Sequence, residues 1–232
     1  KFADKIVAVS NYEKKGLARY VDESNIILIY NSIDNYFRLK NKTKRDNKLI
    51  LSVSALKNTH YFRKGLDIFS KLSAIMPDYS FVLVGKDFND GTSEIIKNNI
   101  KSNFKLTGKI PDAELKSWYS KATIYCQFSR QEGFGVALAE AICCGCIPIV
   151  TKFGAIPEVV GHNGFYTEND IDIQINTSRL NNEILKQRIS CIPVFKLKED
   201  DPYDTLLIEL DEINDSDEIK YITTEHFKIK DT

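Results

Sequence analysis

Long apolar runs are missing from this chain. No uninterrupted stretch among its 232 residues approaches the ~20 that a membrane-crossing helix needs, which excludes such a span. The start, Lys1 to Lys5, has no signal-peptide character, because the apolar stretch behind it ends at Val9. Residue 1 is not methionine, so the chain is expected to begin partway through a longer protein. Net charge is missing as well: 32 basic residues balance 32 acidic ones, and no basic-aromatic platform for nucleic acid is visible. Histidine is scarce, and His60, His162 and His226 show neither triad nor metal-ligand spacing. The first strand is not followed by G-x-G-x-x-G, which sets a nicotinamide-dependent dehydrogenase aside.

Cysteine is present but unpaired in pattern. Cys143-Cys144-Gly145-Cys146 contains a C-x-x-C, yet no second Cys or His pair lies near it, so zinc is poorly supported. Small buried thiols explain the run better than redox chemistry. The odd, clustered count, with Cys126 and Cys191, suits a reducing compartment and a cytoplasmic location.

At 43% hydrophobic and 28% charged, the composition is that of a globular chain with enough length to bury a core. Charge is unevenly spread. Residues 1–195 carry 27 basic and 20 acidic side chains, whereas 196–232 carry 5 and 12. The larger part suits an anionic ligand, and the acidic end reads as a separate, solvated piece.

Short β-rich runs alternate with helical patterns. Strands are expected at 6–9, 26–30, 49–53, 81–84, 104–106, 123–126 and 147–150, and helices at 11–20, 64–76, 92–100, 112–121 and 136–144. Near-continuous apolar strands between helices of this length imply a Rossmann-like α/β fold, a parallel sheet covered on both faces. Residues 38–48 are polar and basic, and read as a linker or surface loop. The pattern stops near Asp172, beyond which a small acidic α+β unit is expected, with one helix at 180–189.

Parallel sheets bind ligands beyond the carboxyl ends of their strands, so the loops after Val84, Leu106 and Cys126 are where chemistry belongs. Glu132-Gly133-Phe134-Gly135 follows a strand and opens a helix, and Glu140 stands eight residues beyond Glu132. Glycines at a helix start let backbone N–H groups approach an anion, and the helix dipole adds to the attraction. Eight helical residues rise ~12 Å, too far for two carboxylates to share a metal or a proton. They suit hydroxyls at opposite ends of an extended ligand with a diphosphate between. Glu140 sits among Val136, Ala137, Leu138, Ala139, Ala141 and Ile142, and a carboxylate in so apolar a helix needs a partner. Gly85-Lys86, Gly108 and Arg63-Lys64-Gly65 are weaker signals of the same placement.

Together these residues resemble the C-terminal half of the group 1 glycosyltransferases, retaining nucleotide-sugar transferases of the two-domain GT-B fold. The resemblance runs through Ala8-Val9-Ser10, Tyr30-Asn31-Ser32-Ile33-Asp34, Arg63-Lys64-Gly65-Leu66-Asp67, Leu83-Val84-Gly85-Lys86 and Thr107-Gly108. It continues through Glu132-Gly133-Phe134-Gly135 with Glu140-Ala141, and Gly154-Ala155-Ile156-Pro157-Glu158-Val159-Val160. It implies a hexosyltransferase that binds a nucleotide diphosphate-sugar without a metal or other cofactor. It also implies that Glu132 contacts the donor sugar, Glu140 the ribose and Lys64 the diphosphate, with Gly133, Phe134 and Gly135 facing sugar and phosphates. The family's phosphate-binding arginine corresponds to Ala55, which leaves charge neutralisation to Lys64 and Arg63. Residues 1–37 resemble a remnant of the acceptor domain and interdomain linker, and 38–172 the nucleotide-sugar-binding domain. With the rest of the acceptor domain missing, this chain is expected to transfer poorly alone. The full enzyme is expected in the cytoplasm or peripherally on the cytoplasmic face of a membrane.

Residues 176–194 have a different resemblance, to a segment of the α-like third-largest subunit of eukaryotic-type or large-virus RNA polymerase. That resemblance implies a tail (173–232) of separate origin. It also supplies the alternative function, a non-enzymatic part in subunit assembly.

Overall fold

A computed structural model describes residues 4–38 and 44–167. Expectations for the acidic unit, the helix at 180–189 and the polymerase-like segment lie outside these residues.

Six strands form one all-parallel sheet: β3 (Asp46–Val53), β4 (Ser80–Val84), β5 (Phe104–Gly108), β6 (Ala122–Gln127), β7 (Ile147–Thr151) and β8 (Phe165–Thr167), in the order β5-β4-β3-β6-β7-β8. Ahead of it, β1 (Ile6–Ala8) and β2 (Ile26–Leu28) pair parallel in a sheet of their own, with α1 (Asn11–Leu17) between them. The remaining helices are α2 (Asn58–Tyr61), α3 (Leu66–Ile75), α4 (Thr92–Lys97), α5 (Asp112–Lys121), α6 (Val136–Cys143) and α7 (Ile156–Val160). None of the described helices is long and apolar enough to cross a membrane.

The two-residue period of the strands divides the core between the two faces of the sheet. Leu49 and Leu51 of β3 join Tyr125, Val150, Leu138 and Ile142 on the face covered by α5, α6 and α7. Ile50, between them, joins Ile124, Phe81, Phe69 and Leu72 on the face covered by α3 and α4. Each such side chain taken fully out of water contributes about 1.5–3 kcal/mol, so the central strands hold the fold together. Their carboxyl ends therefore form a rigid rim.

Several elements differ from the sequence expectation: α1 and α4 each end three residues early, and α2 and α7 were not expected. β3 starts at Asp46, inside the polar stretch expected as linker. Its first three residues are exposed, and the register shifts between Asp46 and Ile50, so no apolar pattern marks that end. The helix expected from residue 64 starts at Leu66, because Gly65 in left-handed backbone separates it from the short α2. β8 escaped notice because it spans three residues, all half-buried.

Two glycines fix the loops at the rim. A Cβ on Gly65 (φ +66°) would lie 2.1 Å from the carbonyl oxygen of Phe128, and one on Gly154 (φ +66°) 2.3 Å from that of Glu132. Gly65→Ala and Gly154→Ala are each expected to lower the unfolding free energy by about 2–3 kcal/mol, from backbone strain and displaced neighbours. Urea denaturation measures this, and losses below about 0.5 kcal/mol would show that the loops yield freely.

Candidate functional site

Burying a carboxylate is costly unless it is paired and hydrogen-bonded, and Glu132 is 8% exposed. Its Oε2 takes a salt bridge from Lys64 Nζ at 2.5 Å and hydrogen bonds from Gln127 Nε2 at 2.9 Å and Ser129 Oγ at 3.4 Å. All three donors meet one oxygen. Oε1 is left without a hydrogen bond among the described residues.

The loop that carries Glu132 is tied on both sides. Arg130 forks onto Asp67 at 3.0 and 3.1 Å, and its backbone N–H donates to the Arg63 carbonyl at 2.8 Å. On the other side, Thr151 Oγ1 donates to the Ser129 carbonyl at 2.6 Å, and Ala155 N to the Glu132 carbonyl at 2.9 Å. Gly135, at φ +97°, then turns the chain into α6. The first N–H groups of that helix have no partner within it and open at the carboxyl edge of the sheet.

A cavity of about 500 Å³ opens here, lined by the ends of β3 (Ser52, Val53) and β6 (Gln127), by Lys64, and by Glu132 to Ala137. Val9, Glu13 and Asn31 line it from the N-terminal unit. A larger cavity of about 740 Å³, with Arg45, Phe104 and Trp118 in its wall, lies at the amino edge of the sheet and contains none of the motif residues.

Of the ten residues the sequence nominates, Lys64, Glu132, Gly133, Phe134 and Gly135 line the smaller cavity. The Phe134 ring is buried and packs against Tyr30, 6.2 Å between centroids. Arg63, Gly85, Lys86, Gly108 and Glu140 are not among the lining residues. Gly85 serves packing: a Cβ there would meet the Ser54 carbonyl oxygen at 1.9 Å, and its N–H donates to the Gly108 carbonyl at 3.1 Å. The Lys86 ammonium lies 4.7 Å from the Phe88 ring centroid, and Arg63 meets Arg130 through its backbone carbonyl. Glu140 lies one turn further into α6, on the face of Val136 and Ala137, and accepts from Tyr119 Oη at 3.1 Å. Burial raises its carboxyl above the ordinary range, opposed by the Tyr119 hydrogen bond and helped by Asp112 and Asp34. Sequence reasoning did not assign Gln127, Ser129 or the Asp67–Arg130 pair. The only signal for them was position, at strand ends where the ligand loops were expected.

The four cysteines among the described residues are buried and serve packing. Cys144 and Cys146 donate to the carbonyls of Phe37 (2.6 Å) and Tyr119 (3.0 Å), and burial raises both thiols to about 12. Burial likewise raises Cys126 and Cys143. All four hold their protons at neutral pH. Among the described residues no group of three or more His, Cys, Asp or Glu is gathered as a metal site would require.

Comparison with known proteins bears on the family and the fold. The family described as glycosyl transferases group 1 matches residues 34–186, which reaches into the polymerase-like stretch. The chain is 26% identical over 173 residues to the GPI3 subunit of phosphatidylinositol N-acetylglucosaminyltransferase from Saccharomyces cerevisiae, covering 68% of this chain and 37% of that protein. It is 28% identical over 153 residues to a GDP-mannose:cellobiosyl-diphosphopolyprenol alpha-mannosyltransferase from Komagataeibacter xylinus, covering 64% of this chain and 38% of that one. The chain thus spans little more than a third of these relatives. In three dimensions it matches Anabaena HepE, solved with UDP and glucose, with a TM-score of 0.70 at 20% identity over 82% of this chain and 57% of that one. None of these findings supports the polymerase resemblance, and the assembly role is not favoured. With the family match covering well over half its length, and with a parallel sheet whose structural neighbours are GT-B enzymes, the chain belongs to the group 1 glycosyltransferases.

Proposed function

We propose that the chain binds a nucleotide diphosphate-sugar in the cavity around Glu132 and presents its hexose for transfer with retention of configuration. The observation that carries this is the held carboxylate: one oxygen of Glu132 is fixed by Lys64, Gln127 and Ser129, while the other is left to accept a sugar hydroxyl. An ammonium has three donors, so Lys64 keeps two for phosphate oxygens while bonded to Glu132. The N-terminus of α6 adds its N–H groups and dipole to the negative charge that grows on the leaving diphosphate, with no metal assigned a part. Glu140, one turn further along the same face of the helix, takes the ribose hydroxyls of a ligand that extends past the cavity. Support for the donor class comes from the relatives, whose names specify GDP-mannose and N-acetylglucosamine transfer, and from HepE, solved with UDP. The relatives' names, which specify lipid-linked substrates, support a full enzyme working at a membrane face, which we place on the cytoplasmic side. In this reading residues 1–37 are the surviving edge of the acceptor half, 38–172 form the donor domain, and 173–232 are a separate tail.

Thermal shift with UDP- and GDP-sugars tests the reading, because a ligand that binds the folded state raises its stability by mass action. Glu132→Ala is expected to weaken nucleotide-sugar binding about tenfold or more while leaving bare nucleotide diphosphate binding nearly intact, the loss of a charge-assisted hydrogen bond worth roughly 1.5–3 kcal/mol. Equal losses for both ligands would refute that role.

Glu140→Gln has a distinctive double signature. A carboxyl raised in the folded state favours folding only while protonated, so the wild type loses stability as pH rises through the window above the ordinary carboxylate range. Glutamine has no such loss. The variant is expected to melt higher than wild type at pH 7, by a smaller margin at pH 4, and to bind nucleotide more weakly. A variant less stable at pH 7 with intact binding would contradict this.

Transfer itself needs an acceptor held in register, which can supply about 7–11 kcal/mol of a barrier. Residues 1–232 are therefore expected to bind donor but turn over poorly without an added acceptor domain. Robust transfer by the chain alone would overturn this assignment of the two halves.

A further inference from the structure

The N-terminal unit also contributes a carboxylate to the cavity, and no motif of the family resemblance includes it. Glu13 lies in the first turn of α1, three residues after the N-cap Ser10. Ser10 Oγ accepts from Glu13 N at 3.0 Å, and Glu13 Oε2 accepts from Val9 N at 3.3 Å, an arrangement close to a capping box. One oxygen is thereby committed to the helix end. The other, Oε1, reaches across to the glycine turn, where a Cβ on residue 133 would lie 2.3 Å from it. The absent side chain of Gly133 leaves room for it there. Among the described residues Oε1 takes no hydrogen bond.

The position of Glu13 is enforced from the donor domain. Glu158 of α7 accepts from the backbone N–H groups of Asn11 and Tyr12, both at 2.8 Å, and from Tyr30 Oη at 3.1 Å. Burial beside that carboxylate raises the Tyr30 phenol to about 12, so it stays a donor at any ordinary pH. The carboxylate thus sits on the positive end of α1 and clasps both flanks of the N-terminal unit. The backbone that carries Glu13 is thereby anchored to α7.

We infer that Glu13 is a further donor-site residue, its Oε1 accepting a hydroxyl of the donor sugar from the side opposite Glu132. This rests on the proposed function of the cavity. The charged residues lining it are Glu13, Lys64 and Glu132, so the end near Gly133 has two carboxylates to one ammonium. A phosphate there would be repelled, whereas sugar hydroxyls are donors that match carboxylate oxygens. The arrangement orders the ligand, with the sugar between Glu13 and Glu132 and the diphosphate towards the start of α6.

Glu13→Gln separates this role from capping. The glutamine oxygen can still accept from Val9 N, which turns the amide NH2 towards Gly133 and removes the acceptor. Calorimetry with UDP, GDP, UDP-N-acetylglucosamine and GDP-mannose on residues 1–232 reads the result. The advantage of the better-bound nucleotide-sugar over its own bare diphosphate is expected to fall about tenfold in Glu13→Gln, with diphosphate affinity kept or raised. Glu13→Ala should show the same fall together with a lower melting temperature, from the lost cap. An unchanged advantage in both variants overturns the inference while leaving the donor site standing. If the wild type binds none of the four probes, the proposed function falls and the role of Glu13 falls with it.

Discussion

The candidate site depends on one buried ion pair. Lys64 stands just before α3 and Glu132 just before α6, so their 2.5 Å contact joins loops that are 68 residues apart in the chain. A lone carboxylate at the burial of Glu132 would be costly, and losing one partner of such a pair strands the other charge. Everything around it serves to keep the two loops in register. Arg130 and Asp67 form a second strut between them, and Gly65 and Gly154 let backbone pass backbone without a side chain between. The pair costs desolvation and returns a fixed oxygen, which is the property a sugar-binding site needs.

Much of this was legible in the sequence because the relevant physics is local. Apolar strands alternating with helices gave a parallel sheet, and strand-turn-helix placement put Glu132 and the glycine turn at its carboxyl edge, as found. Gln127, Ser129 and Asp67 were not legible as partners of the site, since nothing in a strand-end glutamine or a first-turn aspartate names a contact five or more than sixty residues away. Glu13 was hidden for a different reason. Its spacing from Ser10 is fully explained by helix capping, so the second oxygen becomes visible only when α1 is laid against Gly133. Gly85 is the opposite case, a motif glycine that the structure uses to let β4 pass Ser54.

The two-stranded N-terminal unit is therefore more than an appendage of the six-stranded sheet. It is bound through Glu158 and lends Val9, Glu13 and Asn31 to the cavity. The N-terminal unit and the rim of the six-stranded sheet thus line the candidate cavity together.

The central claim is that the ligand binds around Glu132, at the carboxyl edge and not in the larger cavity at the amino edge. Backbone and indole NMR during titration with UDP- and GDP-sugars tests it most directly, because the chain has one tryptophan and Trp118 lines that larger cavity. Shifts concentrated at Ser52 to Ser54, Lys64 and Gln127 to Ala137, with the Trp118 indole signal unmoved, are the result expected here. Shifts centred on Trp118, Lys105 and Lys121, with the glycine turn silent, would contradict it.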